Sequence, residues 1–296
     1  MFNFTLTLCF IRSRLLNIRA ALQSWKVKGR VRFVEWVPAP RLGSSLPAPV
    51  TGRRLEQVLS SKFCTGLHLQ FFSETAKLLA DMETEESQAP SKKRKVDKSQ
   101  KAYQGKIKNL KEYNEDVRIL RKLSAIFPDI VDKSKVMFLS SAADSNMLVE
   151  ECKPDNQIRL IGTIIEAVTA LEAGQHFLVQ GFPLHTRLTT AIFYCLAALF
   201  EEVGFVKPTG QDDFIFLSNF LGSSNTAEES ISSLESILTV LYNHKGPDQV
   251  LSAWSVADLV QDRIYQEIIL FNQTRIKERI LSATDFLQPT ETSESK

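Results

Sequence analysis

The stretch DNQIRLIGTIIEAVTALEAGQHFLVQGFPLHTRLTTAIFYCLAALFEEVGFVKPTGQDDFIFLSNFL, Asp155–Leu221, decides the fold of this 296-residue chain. It reads as helix, strand, helix, short strand and strand, with turn residues at the junctions. The spacing of apolar residues predicts helices over Ile158–Ala173 and Thr186–Val203, and each is followed by a glycine, the residue preferred just after a helix end. Continuous apolar runs at Phe177–Val179 and Phe214–Leu217 are typical of strands covered on both faces. The stretch therefore predicts an α/β fold.

The rest of the chain divides by composition into segments of different character. Residues 1–54 are predicted to be irregular, because PAPRLGSSLPAP (Pro38–Pro49) is a proline-rich linker. The other predicted segments are a helix over 55–82, a disordered charged linker over 83–102, the α/β domain over 103–222, a helical extension over 223–285 and a disordered tail over 286–296. Within them, helical spacing covers Tyr103–Phe127, Thr226–Asn243 and Ser255–Leu281, and Val136–Leu139 fits a buried strand.

Composition excludes several classes of protein. The net charge of +2 gives no global basic field that would indicate nucleic acid, so any RNA contact must come from a local patch. The four cysteines lie far apart without a CxxC pair, which predicts neither a zinc site nor a disulfide framework. No apolar run reaches the roughly 18 residues that a membrane helix needs. We therefore expect no metal and no membrane among the partners.

A basic cluster gives the clearest signal for localisation. The run SKKRKV (Ser91–Val96) places Lys92, Lys93, Arg94 and Lys95 side by side in a segment with few apolar residues. Such an extended basic segment can lie in the acidic groove of a nuclear import carrier. Residues 1–34 contain no acid and are compatible with a mitochondrial presequence, but the basic cluster favours the nucleus, with a cytoplasmic pool as the alternative.

Three adjoining motifs carry a family resemblance. They are GQHFLVQGF (Gly174–Phe182), TRLTTAIFYCLAALF (Thr186–Phe200) and EEVGFVKPTGQDDFIFLSNF (Glu201–Phe220). Together they resemble the C-terminal half of the Rossmann-like domain of eukaryotic mRNA cap 2′-O-ribose methyltransferases, the RrmJ/FtsJ superfamily, and most closely the adrift-type branch that methylates the second transcribed nucleotide. The resemblance implies a partial Rossmann-like sheet flanked by helices. It also implies S-adenosylmethionine as the family's cofactor, and capped mRNA and a separate catalytic methyltransferase domain as partners.

The resemblance also implies that the catalytic set is degenerate. The family uses a Lys-Asp-Lys-Glu constellation, whose central lysine activates the ribose 2′-oxygen, and that position here holds Gln180. An amide can neither take the proton nor stabilise an alkoxide by charge. Asp213 aligns with the family's glutamate and Asp144 is the nearest acid to its aspartate, while the first lysine and the glycine-rich cofactor loop have no counterpart. We therefore expect a pseudoenzyme domain that binds no cofactor.

Four further residues are weighed as site candidates. Lys207, before Pro208, and Phe182, at the strand exit, are candidate RNA contacts, the first through the family's Lys-Pro motif and the second by stacking on a base. His176 and His185 have no acid or cysteine at useful spacing, so neither a metal site nor a catalytic triad is predicted there.

The sequence supports three interpretations of function. The favoured one is a non-catalytic domain, part of a cap 2′-O-methyltransferase, that supports the catalytic domain or helps to hold RNA. The second is an active RNA methyltransferase with a rearranged site. The third is a nuclear helical adaptor without a Rossmann fold, since six of the predicted segments are helices.

Overall fold

The computed structural model describes residues 2–25, 33–40, 49–87, 105–109, 134–139, 147–209, 213–222, 224–244 and 248–287. Over these residues the chain is a mixed α/β protein, as the sequence predicts. Asp144 and the basic cluster Lys92–Lys95 lie outside the described residues, so the predictions about them stay predictions.

The described elements alternate along the chain. The helices are α1 (Phe2–Ser24), α2 (Gly66–Ser87), α3 (Met147–Glu150), α4 (Pro154–Thr169), α5 (Arg187–Ala197), α6 (Asn225–Asn243), α7 (Val256–Val260) and α8 (Arg263–Ala283), followed by a 3-10 turn at Asp285–Leu287. The strands are β1 (Val34–Pro38), β2 (Val50–Arg53), β3 (Gly105–Asn109), β4 (Ser134–Leu139), β5 (His176–Gln180), β6 (Phe200–Val206), β7 (Phe214–Phe220) and β8 (Asp248–Ser252). The described part of the chain is therefore not purely helical, and a nuclear helical adaptor without a Rossmann fold stays an alternative prediction of function.

Two sheets organise these strands. The larger has the order β1-β6-β7-β5-β4-β3, and the smaller pairs β2 with β8. In the larger sheet β4 and β5 are parallel, and every other pair is antiparallel. The sheet is therefore predominantly antiparallel, whereas a doubly wound sheet is mostly parallel.

The main core lies around α5. This helix carries apolar side chains on all of its faces, which explains why it lies at the centre of the core. All of Leu188–Ala197 is buried, because α5 packs between β6, β8, α4 and α6. Aromatic rings continue from it through the core: Phe182 and Phe193 have ring centroids 5.2 Å apart, and Phe205 and Phe271 have centroids 5.5 Å apart. Burying each such large apolar side chain contributes about 1.5–3 kcal/mol.

A second core corrects the prediction that residues 1–54 are irregular. Helix α1 packs on α2 and α8, and buries Ile18 and Leu22 with Phe72 of α2 and Ile276 of α8. The prediction is wrong because the proline-rich composition applies only to a short part of the segment. Within the described range, no helix is both long enough and apolar enough to cross a bilayer.

Several predicted boundaries are also wrong. The predicted helix Tyr103–Phe127 contains strand β3 in its described part. Residues 55–65 are not helical, and α2 runs on to Ser87, so the acidic start of the predicted disordered linker is helical. The predicted helix Ser255–Leu281 is two helices, because α7 ends at Val260 and α8 begins at Arg263.

The two glycines predicted to follow helix ends have other roles. Helix α4 ends at Thr169, and Gly174 lies in the turn before β5 with φ of +82°. Gly204 lies inside β6, where a β-carbon would approach Val34 to 2.8 Å and Trp36 to 3.0 Å. Strand β6 begins at Phe200, since a short segment such as FEEVGFV, with Val203–Val206 buried, fits a strand as well as a helix.

Candidate functional site

The resemblance places the candidate site where β5 ends, and the sheet brings two of its predicted residues together. Gln180 is the last residue of β5 and lies opposite Phe214, the first residue of β7. The backbone N–H of Gly181 donates to the carbonyl oxygen of Asp213 at 3.2 Å. Gln180 and Asp213 therefore lie on adjoining strand ends, as expected from the buried runs that form β5 and β7.

The carboxylate of Asp213 is bound by two arginines of the last helix. Its Oδ2 accepts a hydrogen bond from Nη2 of Arg279 at 3.0 Å and forms an ion pair with Nε of Arg275. The Asp213 side chain is 2% exposed, and those of Arg275 and Arg279 are 1% and 3% exposed. A carboxylate buried to this extent is stable only when opposite charges or hydrogen-bond donors surround it. Asp213 therefore serves as the anchor of α8.

The same arginine reaches the exit of β5. Nη1 of Arg275 donates to the carbonyl oxygen of Phe182 at 2.7 Å. Phe182 is only 1% exposed and packs edge-on against Phe193. The prediction that Phe182 stacks on an RNA base is therefore wrong, because its ring is part of the core.

Lys207 remains accessible at the same edge of the sheet, where β6 ends. It follows β6, its side chain is exposed, and its backbone N–H donates to the carbonyl oxygen of Phe33 at 2.9 Å. The structure thus leaves the ammonium group in solvent, where a phosphate could reach it. The two predicted RNA contacts therefore differ in accessibility, since Lys207 lies on the surface and Phe182 in the core.

A second buried cluster, around Glu151, is not predicted from the sequence. Glu151, just after α3, lies 1% exposed at the N-terminus of α5. Its Oε1 accepts from the backbone N–H groups of His185 and Thr186, both at 2.7 Å, and from the hydroxyl of Thr189 at 2.5 Å. Its Oε2 lies 2.8 Å from Nδ1 of His185. The partner that His185 lacked in local sequence is an acid 34 residues earlier.

Opposing effects act on the Glu151 carboxyl. Burial by itself would raise its pKa, but His185, the Thr189 hydroxyl and the Thr186 amide outweigh burial, and the pKa of Glu151 is lowered. The carboxylate therefore stays ionised and fully hydrogen-bonded. It also lies at the positive end of α5, which favours the charge further.

The cysteines add no nucleophile to these clusters. Burial raises the pKa of the Cys64 thiol to about 12 and that of Cys152 to about 12, with the Glu151 charge acting in the same direction on both. A nucleophilic cysteine needs a thiolate near neutral pH. Among the described residues no group of three or more His, Cys, Asp or Glu side chains is arranged to hold a metal ion.

Together these contacts show that the charged side chains of the site already bind other groups of the chain. The chain matches no protein-family model. No curated protein matches it either. Chemically, the amide of Gln180 cannot act as a base, and the neighbouring Asp213 carboxylate is already paired with two guanidinium groups. The described part of the site is suited to holding strands and a helix together.

Proposed function

We propose that this chain is a non-catalytic, methyltransferase-like domain related to the mRNA cap 2′-O-ribose methyltransferases. The observation that carries the proposal is that Gln180 ends β5 next to the start of β7, where the Asp213 carboxylate is already bound by Arg275 and Arg279. A domain of this kind keeps the scaffold of an RNA-modifying enzyme while the group that would activate the ribose oxygen is missing. Its role is to support a separate catalytic methyltransferase domain and to help hold capped mRNA.

The strand directions support the methyltransferase-like part of the proposal. Strands β4 and β5 are parallel, and β7 runs antiparallel between β5 and β6. Strands β4, β5 and β6 therefore point in one direction, with α4 preceding β5 and α5 connecting β5 to β6. Helical connections between strands of one direction are typical of half of a doubly wound domain, and here the reversed strand lies inside the sheet.

Cofactor binding separates this proposal from an active enzyme with a rearranged site. We expect isothermal titration of the full chain with S-adenosylmethionine to give no heat of binding, because the chain lacks the glycine-rich loop that the family uses for the cofactor. Micromolar binding would favour the active enzyme and would contradict the proposal.

Restoring the lysine tests the catalytic argument directly. Gln180→Lys is expected to transfer no radiolabelled methyl group to a capped RNA oligonucleotide, because the cofactor loop is missing as well and Asp213 stays paired with the arginines. Gln180→Glu, which changes the same side chain to a group without a donor proton, is the matched control. Labelled RNA with the lysine variant alone would overturn the assignment as a pseudoenzyme.

A charge change at an accessible position tests RNA contact. Lys207→Glu is expected to weaken binding of a capped oligonucleotide in a gel-shift titration, because an attractive charge becomes repulsive to phosphate. Arg12→Glu, an equal change on an exposed residue of α1, should leave binding unchanged. Equal binding by both variants would show that Lys207 makes no RNA contact.

For import, replacing Lys92, Lys93, Arg94 and Lys95 by alanine should move a fluorescent fusion from the nucleus to the cytoplasm. Unchanged nuclear accumulation would contradict the import prediction. The import carrier is thus a proposed partner through this basic segment alone.

A further inference from the structure

A surface groove of about 1050 Å³ lies beside the smaller sheet, far along the chain from the β5 site. One wall is the segment that continues from β2, from Arg53 to Leu59, and the other runs from Val149 to Lys153. Neither wall belongs to the methyltransferase-like site, so a function of the groove is independent of the proposed function.

A buried glutamine ties the two walls together. Gln249 of β8 is 3% exposed, and its Oε1 accepts from the backbone N–H of Leu55 at 3.1 Å. Its Nε2 donates to the carbonyl oxygen of Cys152 at 2.6 Å. The backbone N–H of Val58 also donates to the carbonyl oxygen of Leu148 at 3.1 Å. The groove is thus formed before any ligand arrives, which lowers the entropic cost of binding.

The charge of the groove favours an acidic ligand. Its walls carry Arg53, Arg54 and Lys153 against Glu56 and, in the segment from Val149 to Lys153, Glu150 and the buried Glu151. Lys153 forms an ion pair with Glu150 at 2.6 Å, whereas Arg53 and Arg54 are exposed and form no ion pair with any other described residue. Arg53 lies opposite Asp248 in the β2–β8 pair. Two adjoining exposed guanidinium groups attract carboxylates and fix the register of a charged partner.

The backbone beside the groove offers a strand edge. Strand β2 pairs with β8 on one side, and within the described ranges no strand lies on its other side. Apolar side chains flank this edge in solvent, with Val50 44%, Leu55 42% and Leu59 73% exposed. An open edge beside exposed apolar residues is the geometry in which an extended peptide adds a strand. The groove walls contain no aromatic ring on which a nucleic-acid base could stack, which disfavours RNA.

We propose that β2 and this groove form a docking site for an extended acidic segment of a partner protein. The segment adds a strand to the open edge of β2 and places carboxylates on Arg53 and Arg54. Its apolar side chains cover Leu55 and Leu59.

A defined peptide tests the site on the full chain. The probe is a fluorescein-labelled peptide of five Glu-Val repeats, titrated with the protein and followed by fluorescence anisotropy. We expect saturable binding that Arg53→Glu/Arg54→Glu weakens by at least about tenfold, since two attractive charges become repulsive. The matched control, Arg12→Glu/Arg159→Glu, makes the same charge change on exposed residues of α1 and α4 and should bind as the unmodified chain does. Circular dichroism of each variant verifies that it is folded.

Two series of backbone-methylated peptides test the strand addition. Only alternate N–H groups of an added strand face β2. One series is N-methylated at every valine and the other at every glutamate. We therefore expect one series to lose binding and the other to retain it. Equal effects of the two series would overturn the strand addition.

The remaining outcomes decide the partner. The absence of peptide binding, or equal binding by the Arg53→Glu/Arg54→Glu variant and its control, would overturn the proposal. A ten-nucleotide oligouridylate that binds more tightly than the peptide, and loses affinity in the same variant, would assign the groove to nucleic acid and also overturn it. A peptide of five Lys-Val repeats should not bind, since its charge is reversed.

Discussion

Two buried carboxylates, Asp213 and Glu151, are stabilised in different ways. Glu151 accepts its hydrogen bonds from backbone amides and a hydroxyl at the N-terminus of α5, with one histidine ring beside it. Asp213 precedes a strand, and its side chain is bound by guanidinium groups from residues 62 and 66 positions later. A helix terminus supplies donors and a favourable dipole locally. A strand end supplies none to a side chain, so charge must come from another part of the chain.

This difference explains why the helical extension belongs to the fold. Arg275 and Arg279 connect α8 to the sheet through Asp213, and Arg275 also holds the carbonyl oxygen of Phe182. The Glu151 cluster connects only α3 to α5, which are close in sequence. Loss of Asp213 should therefore affect two distant parts of the chain, and loss of Glu151 mainly one helix.

The largest expected effect is that of Asp213→Asn. The variant keeps the shape of the side chain but leaves two buried guanidinium groups without their carboxylate, so the free energy of unfolding should fall by about 3–5 kcal/mol. Urea denaturation followed by circular dichroism measures it. Glu201→Gln removes a charge from an exposed residue of β6 and should change stability by less than about 0.5 kcal/mol. If Asp213→Asn lost less stability than Glu151→Gln, the two carboxylates would rank in the opposite order to the one expected here.

Glu151→Gln should have a smaller but substantial effect. The amide oxygen can still accept some of the donors at the start of α5, while the NH₂ group faces hydrogen-bond donors and leaves one or more of them unsatisfied. We expect a loss of about 2–3 kcal/mol in the same urea experiment. Unchanged stability would show that the backbone amides of His185 and Thr186 are satisfied without a charge.

Acid should remove the Glu151 contribution selectively. Because the pKa of Glu151 is lowered in the folded state, its contribution is fully present above the ordinary pKa of a glutamate and is lost as pH falls through the folded value. The stability difference between the unmodified chain and Glu151→Gln should therefore be constant near neutral pH and shrink in acid. A difference that grows as pH falls below the ordinary glutamate pKa would contradict the lowered pKa.

The smallest effect tests the cap of α5 alone. The side chain of Thr186 accepts from the backbone N–H of Thr189 at 3.1 Å. Thr186→Ala should cost about 1 kcal/mol, the usual value of an N-cap. Thr239→Ala, at an exposed position inside α6, is the matched control and should be nearly neutral. Equal losses for the two would show that the cap does not help to hold the cluster.

Continuous apolar runs explain which parts of the fold were predictable. Continuous apolar runs predict the buried strands β5 and β7, and the helical spacing of apolar residues predicts α6. Strands β2 and β8 were missed, because VTGR and DQVLS are short and carry polar residues. Their pairing joins Val50–Arg53 to Asp248–Ser252, which are far apart in the sequence, so local patterns do not contain it.

The candidate site was predictable only in part, for a related reason. The adjacency of Gln180 and Asp213 follows from where two buried strands meet. The arginines were missed, although α8 contains a signal for them: Arg275 and Arg279 continue the buried stripe of Ile268 and Phe271 at helical spacing. Arginines on the apolar face of a helix indicate a buried anionic partner. The identity of that partner, however, required the tertiary structure.

The contact between the first and last helices bears on how the chain folds during synthesis. Arg19 of α1 donates to the carbonyl oxygen of Leu281 and to Asp285, 262 and 266 positions later. At ribosomal rates of roughly 5–20 residues per second, α1 waits about 10–50 s for these partners to be made. Meanwhile its buried face, which includes Leu15 and Leu22, has only α2 to cover it. Until α8 is made, the apolar residues of α1 that face it have no partner in the helix bundle.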